Sequence, residues 1–360
     1  MAINNKDCFL KGFLVGQDLK LHKGGSGSGG GSASSGTSYD KASFLSGLAA
    51  GMASVGVHKG LSGSCFCVLA RDAVHVRIKF GSSSHGPTIV SWGDGTREVF
   101  PKNGAVSGEL AFSHTYSDAN LHMLSIREPS EYMVRFNPRT GLNIGDGYGV
   151  VQVVSPFPQN INPHLIGGFG SDSQFFQNNR DLQRIPEDLF AHINLSFVGS
   201  AFANCNSLQE IPPGLFKGNK GTSTFPGEAF GTVFSGCTSL TSIPAGLFDQ
   251  CTEAENFQGC FSGCSGLTSI PAGLFDHCPN ATTFVITFSG CTNLTSIPAG
   301  LFDNCPNADY FSRCFYNCTN LSGTAPPLWE RSGARGDGCF YNCTGLSNYA
   351  DIPSDWKKRM

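Results

Sequence analysis

The feature that most constrains this chain is a repeat in its C-terminal half. The segment Ile-Pro-x-Gly-Leu-Phe recurs at intervals of 26, 32, 27, 27, 28 and 27 residues, with its first residue at Ile185, Ile211, Ile243, Ile270, Ile297, Ala325 and Ile352. An aromatic residue, a cysteine in all but the first unit, and a leucine precede it, so a full unit reads F-x-x-C-x-x-L-x-x-I-P-x-G-L-F. One such unit cannot bury its apolar side chains alone, whereas stacked units bury them against each other. The repeat therefore predicts a solenoid of about seven units.

The C-x-x-L-x-x-I-P core and the F-x-G-C lead-in resemble the BspA-like leucine-rich repeats of bacterial, protozoan and phage surface proteins. The resemblance covers roughly half of the chain and implies binding at a surface without catalysis. It places a leucine-rich-repeat-like solenoid at 158–360. Proline has no N–H and favours an extended preceding residue, so we expect a strand to end before each proline. The glycine of x-G-L-F then predicts a tight turn into a short helical or irregular segment.

Residues 65–157 have a different pattern, one of short alternating segments that is typical of strands. We expect strands at 74–80, 88–92, 110–116, 121–127, 132–136 and 150–154, with a hairpin at Asp94-Gly95. This number and spacing predict a β-sandwich. The sequences S-W-G-D-G-T (91–96) and F-S-H-T-Y (112–116) resemble the signatures of PKD-type domains, which implies an immunoglobulin-like sandwich. The predicted fold class is thus multidomain, a PKD/Ig-like β-sandwich followed by the repeat solenoid.

The N-terminal region is predicted to hold two short apolar anchoring segments, at 1–23 and 40–64, joined by a Gly/Ser-rich linker at 24–39. Each segment contains F-L-x-G-x-x-x-G, starting at Phe9 and Phe44, which on a helix places small residues on one face. Assembly with other proteins and docking onto the chain itself remain alternatives. The first residues do not have the pattern of a secretory signal, and no window approaches the length of a membrane span.

Composition and motifs narrow the functional classes. Only 14% of residues are charged and the net charge is −3, so we expect neither nucleic acid nor membrane insertion. The sequence contains no Gly-Lys and no His-Glu dipeptide, which excludes a P-loop and a zincin motif, and no histidine recurs in a triad-like setting. We therefore expect no enzymatic activity and no cofactor.

Three features invite a sharper interpretation. The C-F-x-x-C pairs, such as Cys260 and Cys264, could supply half of a zinc site, but no histidine accompanies them in register and a ladder of buried thiols is preferred. Asp94 is interpreted as a turn residue in preference to a calcium ligand. The triplet Arg335-Gly336-Asp337 is attributed to chance. No metal site is predicted.

Recognition residues are sought among aromatics outside the repeat register. Tyr310, Tyr316, Trp329, Tyr341 and Trp356 qualify, and both tryptophans are expected in the core because Trp329 and Trp356 stand at the Leu-Phe position. Tyr316 and Tyr341 are the predicted binding residues.

Taken together, a surface-type repeat on a chain without a recognised export signal favours a phage virion protein, such as a tail fibre, receptor-binding or head-decoration component. Its expected partners are other virion proteins through the N-terminal segments, a host surface protein or glycan through the solenoid, and further copies of itself in a homo-oligomer. A BspA-type bacterial surface adhesin and a carbohydrate-active enzyme with accessory repeats are the alternatives.

Overall fold

The computed structural model describes residues 65–80, 89–99, 109–127, 132–135, 149–157, 176–191, 198–221 and 230–360. The chain divides into two compact units, Met1–Gly63 and Ser64–Met360. The segments predicted at 1–23, 24–39 and 40–64 lie outside the described residues, together with both F-L-x-G-x-x-x-G motifs. All described elements belong to the second unit.

The described residues between 65 and 157 form eight strands: β1 Cys65–Ala70, β2 Ala73–Phe80, β3 Ile89–Ser91, β4 Arg97–Val99, β5 Glu109–Thr115, β6 His122–Arg127, β7 Tyr132–Arg135 and β8 Val150–Val153. Six of them lie within one residue of the predicted bounds. The sequence pattern does not predict β1, because Phe66 to Ala70 is a continuous apolar and fully buried segment without alternation. It does not predict β4 either, because all three of its residues are exposed.

The strands form two antiparallel sheets, one in the order β4-β3-β6-β1-β8 and the other in the order β5-β2-β7. β3 and β4 make the predicted hairpin, in which Trp92 N donates to Thr96 O over 3.1 Å. Gly93 has a φ of +91°, and a Cβ there would come within 2.6 Å of the Met123 carbonyl oxygen. Only glycine fits this turn, because both the backbone conformation and the close approach exclude a side chain.

The edge strand β8 continues the larger sheet into the first repeat. Gln152 and Arg184 form a parallel bridge, and Gln183 N donates to Val151 O over 2.8 Å. Sheet and repeats are therefore joined by backbone hydrogen bonds, and an edge strand that would otherwise offer unpaired groups is covered.

Side chains reinforce this junction. The ring of Phe157 stacks on Phe66, at 4.8 Å between centroids, and on Phe190, at 5.9 Å. Arg71 Nη2 lies 3.3 Å from Asp181 Oδ1, with both side chains largely shielded from solvent. The apolar core is continuous from the sheets into the repeats.

In the described part of the repeats, phenylalanine rings are buried in three parallel columns. Neighbouring rings within a column lie 5.5–6.1 Å apart and within 10° of parallel. The columns are Phe176, Phe202, Phe234, Phe261, Phe288, Phe315 and Phe340; Phe190, Phe216, Phe248, Phe275 and Phe302; and Phe230, Phe257, Phe284 and Phe311. Edge contacts such as Phe248–Phe257, at 4.9 Å and 66°, tie the columns together. The first two columns follow from the repeat consensus, whereas the third is a finding of the structure.

Backbone hydrogen bonds between consecutive units hold the stack along its length. Phe261 N donates to Thr287 O over 2.9 Å, and Phe288 N donates to Cys314 O over 2.8 Å. Within a unit, Cys264 N donates back to Phe261 O over 3.1 Å, which closes a four-residue β-turn. Because such turns recur, the described repeats contain isolated parallel bridges and no strand. The expectation of a strand ending at each proline is therefore wrong.

One position of the unit requires a left-handed backbone. The second residue after the first-column phenylalanine has a φ between +60° and +73° in every described unit, and it is Asn178, Asn204, Gly236, Gly263, Gly290, Asn317 and Asn342. Glycine and asparagine are the residues that adopt this conformation at least cost. The sequence F-x-G/N-C therefore indicates a turn that every described unit has.

The Ile352 motif packs against the unit before it. Short 3₁₀ helices occupy Leu328–Glu330 and Ser354–Lys357. The second supplies carbonyl acceptors to the preceding unit, since Phe340 N donates to Trp356 O over 2.8 Å. Trp356 is buried, and a Cβ at Gly336 would collide with its indole. The Ile352 motif thus covers the core surface of the unit that precedes it.

Candidate binding surface

The cysteines of the repeats form a buried ladder. In the F-x-x-C column each thiol donates to the carbonyl of the first-column phenylalanine of the preceding unit, at 3.0–3.2 Å, from Cys205, Cys237, Cys264, Cys291, Cys318 and Cys343. Thr287 stands where other units have the cysteine that precedes the aromatic, and its hydroxyl donates to Phe257 O over 3.0 Å. A hydroxyl can thus take the place of a thiol. The ladder uses these side chains as small buried donors.

Burial also controls the chemistry of these thiols. It raises the pKa of Cys264 and of Cys343 to about 12. Such thiols stay protonated at neutral pH, so they are poor nucleophiles and poor metal ligands. The twelve cysteines of the repeats, from Cys205 to Cys343, form no disulfide, and no group of three or more His, Cys, Asp or Glu side chains in the described residues is arranged to hold a metal ion.

In the turn between β3 and β4, both carboxylate oxygens of Asp94 form hydrogen bonds with other residues of the chain. Oδ1 accepts from Thr96 N at 2.9 Å and from Thr96 Oγ1 at 2.6 Å, and Oδ2 lies 2.6 Å from His114 Nε2. Burial raises the pKa of Asp94, but these hydrogen bonds outweigh it and lower the pKa to about 2. His114 stacks on Trp92 at 4.8 Å, and Tyr116 donates to Trp92 O over 2.7 Å. The carboxylate therefore ties the hairpin to β5.

The Arg335-Gly336-Asp337 triplet is part of the backbone ladder. Arg335 O accepts from Phe311 N at 2.7 Å, Gly336 is buried, and Asp337 pairs with Lys358 at 3.0 Å. The triplet is not presented at the tip of a loop.

One outer side of the repeats is a row of uncharged hydroxyls. Thr268 Oγ1 donates to Thr241 O, and Thr295 Oγ1 to Thr268 O, both over 3.1 Å, and Ser322 continues the row at 3.0 Å. All are exposed. This side offers regularly spaced polar groups and no charge at these positions.

Tyr316 and Tyr341 lie together on another outer side. They occupy successive units at one position, where the three preceding units have Ser235, Ser262 and Ser289. Their rings stack at 4.7 Å between centroids and 21° from parallel, and both are half-buried. The structure thus brings the two predicted binding residues into contact.

Two arginines that lie over tyrosine rings were not predicted from the sequence. Arg313 Cζ lies 6.0 Å from the centroid of Tyr316, and Arg335 Cζ lies 4.8 Å from that of Tyr310, which is 38% exposed. Both arginines are exposed. Arg313 could have been noticed because it is a charged residue at a position that is uncharged in the other units. The equivalent residues are Ser200, Thr232, Gly259, Ile286 and Gly338, and Arg313 has a φ of +55°.

Comparison with known families accounts for the repeats. The BspA type leucine rich repeat region matches in six copies, over residues 175–309 and 231–358, which together span slightly more than half of the chain. The chain belongs to the BspA-type leucine-rich repeat family. Curated proteins and solved structures gave no match.

Membership of the BspA-type family indicates a surface-recognition or adhesin-like repeat protein. The consensus residues of the family are the buried ones here: the aromatic, cysteine, leucine and isoleucine side chains point into the core of this BspA-type stack. What distinguishes one unit from the next is therefore found at outward positions. Among the described residues, no helix has the length and apolar character to cross a bilayer.

Proposed function

We propose that this protein is a non-enzymatic recognition protein whose repeats form a solenoid that binds a ligand on a cell surface. One observation carries the proposal: on a constant buried frame, an outward position changes from serine at 235, 262 and 289 to tyrosine at 316 and 341. Tyrosine is one of the residue types that are enriched at interface hot spots. Repeat scaffolds combine a constant core with variable outer residues in this way.

Binding of the labelled full chain to intact bacterial cells tests this proposal. The double variant Tyr316→Ser, Tyr341→Ser gives these units the residue that the earlier units have, and we expect at least tenfold weaker binding, on the order of the loss of one interface hot spot. Ser262→Ala with Ser289→Ala is the matched control in the same column and leaves binding unchanged. Equal binding by both double variants would contradict the proposal.

For residues 65–157 we propose a PKD-like, immunoglobulin-type β-sandwich. Support comes from the two antiparallel sheets and from the contacts among Trp92, Asp94, His114 and Tyr116, the residues of the W-G-D-G-T and H-T-Y motifs. Its proposed role is that of a spacer that also covers the first repeat. An experimental structure with the two sheets facing apart would refute this assignment.

We further propose that the protein is a phage virion component, with its N-terminal segments attached to the particle and the repeats exposed. The resemblance of the F-L-x-G-x-x-x-G segments to N-terminal stretches of tail-associated proteins supports it. Mass spectrometry of purified particles tests it, since the chain must be found there at a fixed stoichiometry. Its absence from particles, with surface proteolysis removing it from intact bacteria, would support a cell-surface adhesin instead.

A further inference from the structure

One buried column of the repeats places two cysteines in consecutive units. The column is the position directly before the first-column phenylalanine, and in the described units it holds Ala201, Val233, Cys260, Thr287, Cys314 and Cys339. Cys260 has a valine and a threonine as its neighbours in this column, whereas Cys314 and Cys339 follow each other. In the part of the column that the structure describes, only these two cysteines are therefore adjacent.

The backbone holds Cys314 and Cys339 at the spacing that a disulfide requires. Phe315 N donates to Cys339 O over 3.0 Å, so the two units are adjacent in the backbone ladder. The rings that follow the two cysteines, Phe315 and Phe340, stack at 5.7 Å between centroids. Segments that are hydrogen-bonded in this way lie about 4.8 Å apart. A disulfide joins Cα atoms that are roughly 4.4–6.8 Å apart, so no large backbone movement is needed.

The thiols of Cys314 and Cys339 also interact directly with each other, and both side chains are fully buried. Cys318 and Cys343 likewise lie in consecutive units, but their thiols are directed elsewhere. Each of those two thiols donates to a phenylalanine carbonyl of the preceding unit over 3.0 Å. A bond between Cys318 and Cys343 would break both of these hydrogen bonds. The sulfur atoms of Cys314 and Cys339 are therefore the better placed pair.

We propose that Cys314 and Cys339 are the site of an intramolecular disulfide, which forms when the protein meets a low-molecular-weight disulfide such as oxidised glutathione. One cysteine thiolate attacks oxidised glutathione, forms a mixed disulfide and releases one glutathione thiolate. The other cysteine thiolate attacks the protein sulfur of the mixed disulfide and releases the second glutathione. The two cysteines thus lose two electrons and two protons, and oxidised glutathione gains both and becomes two thiols. The site is independent of the proposed recognition function.

Burial makes this exchange slow in the closed stack. It raises the pKa of Cys314 well above its usual value, so little thiolate is present at neutral pH. The 3₁₀ segment Ser354–Lys357 covers the unit of Cys339, since Gly338 N donates to Asp355 O over 2.8 Å. Exchange therefore begins when these units open locally. Once formed, the disulfide closes the chain between the two units into a loop, which opposes their unfolding.

Incubation of the reduced full chain with oxidised glutathione tests the proposal, at urea concentrations from zero to just below the unfolding transition. We expect mass spectrometry of a non-reducing digest to find the peptides of Cys314 and Cys339 joined, with two hydrogen atoms fewer than the separate peptides. Thiol titration in denaturant should give two fewer thiols than the fifteen of the reduced chain. Crosslinking should become faster as urea rises, because the units open more often. Unfolding of the crosslinked chain should shift to higher urea, and dithiothreitol should reverse the shift.

Cys314→Ser should abolish both the crosslink and the shift. This column accepts a hydroxyl, as Thr287 shows, so the variant is expected to keep the fold. Cys260→Ser is the matched control, because it removes a thiol from the same column and leaves the pair intact; it should crosslink as the unchanged chain does. Absence of the Cys314–Cys339 crosslink across the whole urea series overturns the site. So does a glutathione adduct that remains on either cysteine, or a crosslink that persists in Cys314→Ser.

Discussion

Replacing Phe261 with alanine tests whether the aromatic columns carry the stability of the repeats. Phe261 is fully buried, its ring lies 5.7 Å from those of Phe234 and Phe288, and it contacts Phe248 at 6.3 Å. Removing a buried phenylalanine costs about 3–5 kcal/mol through lost burial and the cavity that remains. Because each unit is held only by its neighbours, the stack has no other contact that can compensate. We expect Phe261→Ala to lower the free energy of unfolding by about 4 kcal/mol.

Urea unfolding followed by fluorescence gives the size of this effect, and native-state hydrogen exchange gives its location. Protection should fall at the amides of Phe261 and Phe288, which donate across the adjoining units, and persist in β1 and β6. Thr268→Ala is the matched control in the same unit, since its exposed hydroxyl makes one 3.1 Å hydrogen bond, and we expect a change within about 0.5 kcal/mol. A loss in Phe261→Ala no larger than that of the control would refute the stacking argument.

Three further predictions concern the turn, the thiols and the Ile352 motif. The pKa of Asp94 is lowered from 3.8 to about 2, so its stabilising contribution is complete above pH 4 and is lost as the pH falls towards 2; acid unfolding of Asp94→Asn should show a weaker dependence over this interval. Cys264 and Cys343 should react with iodoacetamide only after unfolding, because burial raises the pKa of each to about 12; mass spectrometry showing rapid labelling of either in the native protein would contradict their place in the core. Trp356→Ala should destabilise the adjoining units by about 3–5 kcal/mol, because the buried indole packs on Phe340 and Trp329; hydrogen exchange at Phe340 reports whether protection is lost there first.

Much of the architecture can be predicted because the residues that recur in every unit are the ones that are buried. The consensus residues of one unit, for example Phe261, Cys264, Leu267 and Ile270, are fully or almost fully buried, as the consensus implies. The third phenylalanine column could have been found in the same way, since Phe257 and Phe261 recur as F-x-x-x-F in the neighbouring units. A periodic core thus leaves its signal in the sequence.

Contacts between segments far apart in the chain cannot be recognised from a recurring pattern. The pairing of β8 with Gln183 and Arg184 joins elements of different pattern, and nothing in either segment identifies the other. The strand expected before each proline does not form. In the segment before Pro271, Leu267 N donates back to Cys264 O within its own unit, and Thr268 N donates to Thr241 O of the neighbouring unit, which is one hydrogen bond and not a ladder.

The candidate site likewise has residues that the sequence predicts and residues that it does not. Tyr316 and Tyr341 could be singled out because they break the serine column, and their stacking follows from their equal position in successive units. Arg313 and Arg335 could not be recognised from residue type alone, since an arginine in a turn is ordinarily solvated. Their significance comes from the tyrosine rings beneath them and from the lack of a carboxylate partner in the described residues.

The central claim is that recognition takes place on outward positions of the last units while the repeat consensus serves the core. Hydrogen exchange of the full chain, with and without saturating bacterial cell-surface glycan, tests this most directly. We expect added protection at 310–317 and 335–342, with the described sheets between 65 and 157 unchanged. Protection confined to the sheets, or none anywhere at saturation, would contradict it.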